Sequence, residues 1–166
     1  MKESFIKTMR NLAYPVCIAS TKYNKNQYAI TVSSVTSVSL DPPSLLVCIS
    51  KKSPMIESIQ TGSHLNINFL GSTQKEIASI CSSKERVNER YDNDLWADDD
   101  HNIPYLKKSE AIALSKVANV VDHATHIIAI LYVHKVILNN KGQPDPMLYC
   151  NGAYIDIKLP VMEKAK

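Results

Sequence analysis

Two strand-like segments separated by consecutive prolines constrain the fold of this chain most strongly. Residues 36–40 (TSVSL) have the alternation of a strand, and residues 45–50 (LLVCIS) form a short apolar run. Asp41-Pro42-Pro43 lies between them, and proline has no backbone N–H to donate to a sheet. The arrangement predicts two strands joined by a turn, and it excludes one continuous helix across residues 36–50.

The remainder of the chain is also rich in strand-like runs. They cover residues 14–20, 28–32, 64–70, 111–121, 126–138 and 147–157, with polar turns at 21–27 and 139–146. One helix is predicted over residues 54–60, because Ser53 is a good N-cap and Pro54 suits the first helical position. A second is predicted from Thr73, where Glu76 completes a capping box. Many strands and few helices predict a mainly β, antiparallel barrel or sandwich.

Composition limits the classes of function. The chain has 166 residues, 45% of them hydrophobic and 21% charged, which fits a single domain over residues 1–166. A net charge of +3 without a basic stripe argues against nucleic acid. No apolar run is long enough for a membrane span, and the N-terminus has no secretory signal pattern. Four widely spaced cysteines favour reduced thiols in a cytoplasmic protein, and no metal site is predicted.

Nucleotide-binding loops of the common kinds are missing. The four glycines form neither G-x-G-x-x-G nor a Walker loop. The run from Thr31 to Ser39 could instead present small hydroxyls to the polar edge of a flat heterocycle, although taken alone it fits an exposed barrel face better. Ser50-Lys51-Lys52-Ser53-Pro54 could bind phosphate at a helix N-terminus, or its lysines could simply be solvated. The acidic run at Asp98, Asp99 and Asp100 is interpreted as a solvated loop.

In order along the chain, these motifs resemble those of the flavin reductase-like family, the small reductase components of two-component flavin-dependent monooxygenases. The resemblance covers residues 5–158. It is carried by the hydroxyl run ending in S-x-S-L-D-P-P at residues 37–43, Asp122-His123, Pro146-Met147-Leu148-Tyr149 and Gly152-Ala153-Tyr154. The sequence departs from the family pattern at three positions. Val121 precedes Asp122 where the family has glycine, and Asn151 and Ala153 stand where reductases often carry arginine.

The resemblance implies an FMN-binding split β-barrel, a homodimer, and a cofactor-binding set. Contacts with the flavin ring and ribityl chain are expected from Thr31, Val32, Ser33, Ser34 and Ser37. Phosphate contacts are expected from Ser50, Lys51 and Ser53, and Phe69 is expected beside the flavin. His123 and Tyr154 are expected on the nicotinamide side, with His123 as the catalytic candidate. Because side chains alternate along a strand, His126 is expected to face away from His123.

The implied activity is transfer of hydride from NADH or NADPH to FMN or FAD, with reduced flavin supplied to a monooxygenase partner. The flavin does the chemistry, and the protein holds the two rings in reach of each other. Three alternatives remain open. They are a non-catalytic FMN-binding flavoprotein that acts as electron relay, sensor or store, an interaction barrel with no cofactor, and an oxidase of pyridoxamine phosphate type.

Overall fold

Antiparallel strands form most of the protein in the computed structural model, which describes residues 1–92, 94–140, 142–155 and 157. The helices are α1 (Lys2–Met9) and α2 (Lys75–Ser82), with short 3-10 helices at Ile56–Ser58, Ser72–Gln74 and Val87–Glu89. The strands are β1 (Tyr14–Pro15), β2 (Cys17–Tyr23), β3 (Asn26–Val32), β4 (Thr36–Leu40), β5 (Pro43–Ser50), β6 (Asn66–Phe69), β7 (Trp96–Asp98), β8 (Pro104–Leu106), β9 (Ala111–His123), β10 (His126–Leu138), β11 (Leu148–Cys150) and β12 (Ala153–Ile155).

Seven of these strands form one large sheet in the order β3-β2-β6-β9-β10-β5-β4, with every neighbouring pair antiparallel. Smaller sheets contain β1-β11-β12 and β7-β8. The prediction of a mainly β, antiparallel fold is therefore confirmed. Among the described strands, no backbone ladder joins β3 to β4 or β5, so the large sheet is not closed into a barrel by strand pairing.

Two apolar clusters pack against the large sheet. The first contains inward side chains of β2, β3, β5, β6, β9 and β10, including Ile49, Ile67 and Leu131. The second lies between the sheet and α2, and it includes Ile18, Ala78, Leu106 and Met147. Because β2 is covered on both faces, all of residues 17–21 are buried.

Two-residue turns with positive φ set the register of two hairpins. Asn24 and Lys25 (φ +49° and +68°) join β2 to β3, and Asn151 and Gly152 (φ +47° and +84°) join β11 to β12. Positive φ at both central residues matches the right-handed twist of the flanking strands. Asn151 therefore occupies a turn position that favours asparagine, which gives a backbone reason for its departure from the arginine of the family pattern.

Several local predictions need correction. The predicted helix over residues 54–60 does not form, and only the 3-10 helix Ile56–Ser58 lies there. The predicted strand over residues 147–157 is instead the β11–β12 hairpin. The helix α1 was not predicted. A helix near Thr73 is confirmed, but the predicted Thr73–Glu76 capping box is wrong, because α2 begins at Lys75 after a 3-10 turn and its N-cap is Gln74. The Gln74 side chain accepts the Gly71 N–H at 2.9 Å.

The acidic run is more ordered than a solvated loop. Asp99 Oδ1 accepts the backbone N–H groups of His101 and Ile103 at 2.8 and 2.9 Å, and its Oδ2 accepts Asn66 Nδ2 at 2.9 Å. The interpretation as a solvated loop is wrong for Asp99, which fixes the connection between β7 and β8. Among the described helices, none is long and apolar enough to cross a bilayer.

Candidate functional site

A groove of about 330 Å³ runs between the end of β3 and the end of β5. It brings together six of the predicted cofactor residues, which are Thr31, Val32, Ser33, Ser34, Ser50 and Ser53. Ile30, Cys48, Ile49 and His126 complete its lining. The hydroxyl run and the Ser50–Ser53 turn are far apart in the sequence, so the sheet topology is what makes one site of them.

The hydroxyl groups in this groove differ in whether the protein itself already uses them for hydrogen bonds. Ser34 Oγ accepts the Cys48 N–H and donates to the Cys48 carbonyl, both at 3.0 Å, so its hydroxyl joins the β3–β4 connection to β5. Thr31 Oγ1 donates to the Ala78 carbonyl at 2.6 Å and ties β3 to α2. These two hydroxyls are engaged by the protein, which leaves the Ser33 side chain as the better placed one for a ligand.

Ser33 lies where three concave surfaces meet. Besides the groove, it lines a cavity of about 110 Å³ with Val16, Tyr149 and Tyr154, and a cavity of about 260 Å³ against α1. The rings of Tyr149 and Tyr154 are 5.6 Å apart and inclined by 66°. Burial, with smaller contributions from Tyr149 and Cys81, raises the pKa of Tyr154, so its neutral phenol is favoured. A groove lined by hydroxyl and imidazole side chains, among apolar ones, therefore adjoins a surface that contains two aromatic rings.

The turn after β5 lacks the free helix N-terminus that the sequence suggested. The Ser53 N–H donates to the Ser50 carbonyl at 2.9 Å, and the Lys51 N–H donates to the Thr125 carbonyl at 3.0 Å. The Lys52 N–H reaches Ser50 Oγ at 3.3 Å. Since these donors already have acceptors and no helix begins at Pro54, the predicted helix-dipole contribution to phosphate binding is wrong.

Lys51 is engaged by a carboxylate. Its Nζ lies 2.7 Å from Asp122 Oδ1, with 37% of the Lys51 side chain and 75% of the Asp122 side chain exposed. Asp122 is opposite Ile127, which is opposite Ile49, and both isoleucines are buried. The ion pair thus lies at the end of the core-facing side of the sheet, whereas Ser50 belongs to the opposite face because side chains alternate.

His123 and His126 do not face opposite ways, so that prediction is wrong. Ala124 (φ +47°) and Thr125 form the turn between β9 and β10, and the two histidines are direct partners in the register. Cross-strand partners share a face of a sheet. His126 is also the register partner of Ser50, so Ser50, His126 and His123 form one row across β5, β10 and β9.

His126 is the groove residue that the sequence interpretation missed. It is exposed, it lines the groove with Ser50 and Ser53, and its Nδ1 lies 2.9 Å from Thr125 Oγ1. The signal available in the sequence was the short spacing between the two histidines at the join of two strands, which is compatible with a two-residue hairpin.

The other five predicted cofactor residues lie outside the groove lining, namely Ser37, Lys51, Phe69, His123 and Tyr154. Ser37 is exposed on β4, opposite Leu45, and Phe69 on β6 packs against the first apolar cluster. Their contacts with flavin stay predictions, as do those of the other predicted residues. Among the described residues, no group of three or more His, Cys, Asp or Glu side chains is placed to hold a metal ion.

Comparison with known proteins identifies the group to which this architecture belongs. Residues 9–158 match the family model described as "Flavin reductase like domain". The chain belongs to the flavin reductase-like family. This confirms the resemblance on which the cofactor residues were predicted.

Relatives within the flavin reductase-like family include proteins named as reductase components of a hydroxylase and of a monooxygenase. The chain is 28% identical over 154 residues to the reductase component of FADH(2)-dependent resorcinol hydroxylase from Rhizobium sp. (strain MTP-10005), covering 92% of this chain and 85% of that protein. It is 29% identical over 140 residues to the 4-hydroxyphenylacetate 3-monooxygenase reductase component of Escherichia coli, covering 83% and 82%. The crystal structure of a flavin reductase domain protein from Arthrobacter sp. FB24 has a TM-score of 0.87 at 23% identity, covering 99% and 100%, which shows the shared fold.

Proposed function

We propose that this chain is an NAD(P)H:flavin oxidoreductase that reduces FMN or FAD and supplies reduced flavin to a monooxygenase. The observation that carries the proposal is the single groove that joins Thr31–Ser34 to Ser50 and Ser53. The relatives named as reductase components of monooxygenases support the same activity. When bound, the flavin supplies the chemistry by accepting hydride from the nicotinamide.

The donor set fits a flavin nucleotide. Hydroxyls of Ser50 and Ser53 and the imidazole of His126 line the groove, which suits a phosphate group. Beyond Ser33, the side chains of Val16, Tyr149 and Tyr154 offer an apolar and aromatic surface that suits a flat ring. Ser33 borders both regions, so one ligand with a phosphate at one end and a heterocycle at the other can use both.

The chain's own residues bind and orient in this proposal. Residues 33 and 34 lie between β3 and β4, outside the strand ladders, where their N–H groups can face the polar edge of the ring. His123 lies at the exposed hairpin end, in the same row as the groove residues Ser50 and His126. Its contact with the nicotinamide carboxamide rests on the family resemblance. No side chain has to move a proton for hydride transfer.

One experiment tests the activity. Purified protein is mixed with FMN and NADH without air, and the visible flavin absorbance is followed. We expect it to bleach much faster than in a mixture that lacks protein. If the protein binds FMN but leaves the absorbance unchanged, it is the non-catalytic flavoprotein and not a reductase. If it has no affinity for flavin, it is neither a reductase nor a flavoprotein.

The proposal extends to assembly and location. Five of the exposed apolar side chains lie on β4 and the outer half of β10, at Val38, Leu40, Tyr132, Val136 and Leu138. Covering them in a homodimer would remove this apolar surface from water. The four cysteines are unpaired in the structure, which is consistent with a reducing, cytoplasmic location.

A further inference from the structure

Among the described residues that line the groove, none is a lysine or an arginine, so neither Lys51 nor Lys52 belongs to the lining. Lys51 was the expected cation, but its Nζ lies 2.7 Å from Asp122, on the face of the sheet opposite to Ser50. The N–H groups of Lys51 and Ser53 already donate to protein carbonyls. A bound phosphate carries close to two negative charges near neutral pH, so a group that can carry positive charge would strengthen its binding beside the two serine hydroxyls.

His126 is placed to meet that need. It is directly opposite Ser50 in the β5–β10 register, and neighbouring strands in a sheet lie about 4.8 Å apart. Both side chains line the groove, as does Ser53, so two hydroxyls and one imidazole share the same polar surface. The histidine is exposed, so a ligand can reach it without rearrangement of the sheet.

Thr125 holds the ring at one nitrogen. The distance from Thr125 Oγ1 to His126 Nδ1 is 2.9 Å, a hydrogen bond in which the hydroxyl can accept from Nδ1–H or donate to it. In the part of the chain that the structure describes, no hydrogen bond is seen at Nε2. With Thr125 accepting from Nδ1–H, an imidazolium still has its Nε2–H to donate to an anion.

We propose that His126 is the residue that recognises the flavin phosphate in this chain and makes it prefer FMN over riboflavin. This rests on the proposed flavin-binding function and assigns a specificity role within that site. Nearby charges permit it. Lys51 and Asp122 pair with each other on the other face, and His123 is the direct neighbour of His126 in the row.

The test compares the dissociation constants of FMN and riboflavin, which differ only in the phosphate, for the wild type and for H126Q. We expect FMN binding to weaken by about tenfold or more in H126Q, while riboflavin binding stays within about twofold. H126K, which restores a cation, should recover most of the preference. His134, on the same strand but outside the groove lining, provides the matched control H134Q, which should retain wild-type affinity for both ligands.

Several results would overturn the assignment. Equal weakening of FMN and riboflavin in H126Q would make His126 a ring contact or a structural residue. Loss of the preference in K51Q but not in H126Q would assign the phosphate to Lys51. If the wild type bound neither flavin, the proposed function itself would fail. If it bound both flavins and H126Q changed nothing, only the role of His126 would be lost.

Discussion

Ser34 occupies the place at which a backbone partner of Cys48 would otherwise lie. In the β4–β5 register Thr36 is opposite Leu46, so the same register extended by two residues puts position 34 opposite position 48. There the Ser34 hydroxyl, not its backbone, accepts the Cys48 N–H and donates to the Cys48 carbonyl at 3.0 Å. The Ser34 side chain thus continues the hydrogen bonding along the edge of β5, beside the candidate groove.

This relationship predicts the effect of S34A. Removing the hydroxyl leaves the N–H and carbonyl of Cys48 without those bonds, and an unsatisfied partly buried group costs about 1–3 kcal/mol. We therefore expect the free energy of unfolding, measured by urea denaturation, to fall by about that amount. The matched control is S37A, because Ser37 is exposed on β4. Its effect should stay within about 0.5 kcal/mol. Equal effects of the two substitutions would contradict the structural role.

The position of a strand along the chain could be predicted from the sequence where local signals agree with the fold. Strand β4 covers Thr36–Leu40 as predicted, because the prolines that follow can only end it. Residues 54–60 show the opposite case. Ser53 and Pro54 are good helix-start residues, yet Ser53 Oγ and the Ser50 and Ser53 carbonyls are used in consecutive turns. Tertiary packing of Met55, which is fully buried, overrides that local preference.

Only part of the candidate site could be predicted, because local motifs reveal some of its residues and tertiary contacts determine the others. The hydroxyl run and the Ser50–Ser53 turn were recognisable motifs, and both line the groove. The pairing of His123 with His126 could not be recognised from the sequence, because it depends on Ala124 adopting φ +47°. Unlike glycine or asparagine, alanine does not indicate a turn with positive φ. The Lys51–Asp122 contact joins residues 71 positions apart, which no local pattern reveals.

H123A tests the proposed nicotinamide contact. Loss of one neutral hydrogen bond costs about 0.5–1.5 kcal/mol, so KM for NADH should rise, or the hydride-transfer rate fall, by about twofold to tenfold. His123 is exposed at a hairpin end, so FMN affinity and the melting temperature should stay near those of the wild type. Stopped-flow reduction of bound FMN measures the rate. A joint loss of stability, flavin binding and activity would show that His123 is only structural.

Association is predicted from the exposed apolar residues of β4 and β10. Sedimentation equilibrium should give about twice the chain mass of 18.5 kDa. Leu40 and Val136 are 90% and 55% exposed, so the double variant L40K/V136K should shift the mass towards the monomer by placing charge in the proposed interface. Val87, 47% exposed in the segment after α2, supplies the control V87K, which should remain a dimer. A monomeric wild type with FMN bound would contradict the proposed assembly.

Three histidines distant from the groove should make stability sensitive to acid. The rings of His64 and His101 are stacked with centroids 4.0 Å apart and 17° between their planes, and His134 meets them edge-on at 6.1 and 5.7 Å. Burial and then the positive charge of protonated His101 lower the pKa of His64, with smaller contributions from His134 and Lys116, and Asp99 opposes the shift. The folded protein therefore takes up this proton less readily than the unfolded chain.

The sign of the pH effect follows from that difference. The unfolded chain binds the His64 proton near the ordinary pKa of about 6.5, so the free energy of unfolding should fall as pH drops below that value and level off below the folded pKa. H64Q should flatten this slope. Above about pH 8, where imidazole is neutral, any difference between the two proteins should be independent of pH.

Asp99, whose pKa is lowered by hydrogen bonds that outweigh its burial, contributes a separate loss of stability only at still lower pH. Urea titrations between pH 5 and pH 8 measure the slope. If the free energy of unfolding of H64Q depended on pH as steeply as that of the wild type, His64 would not be the source of the pH dependence.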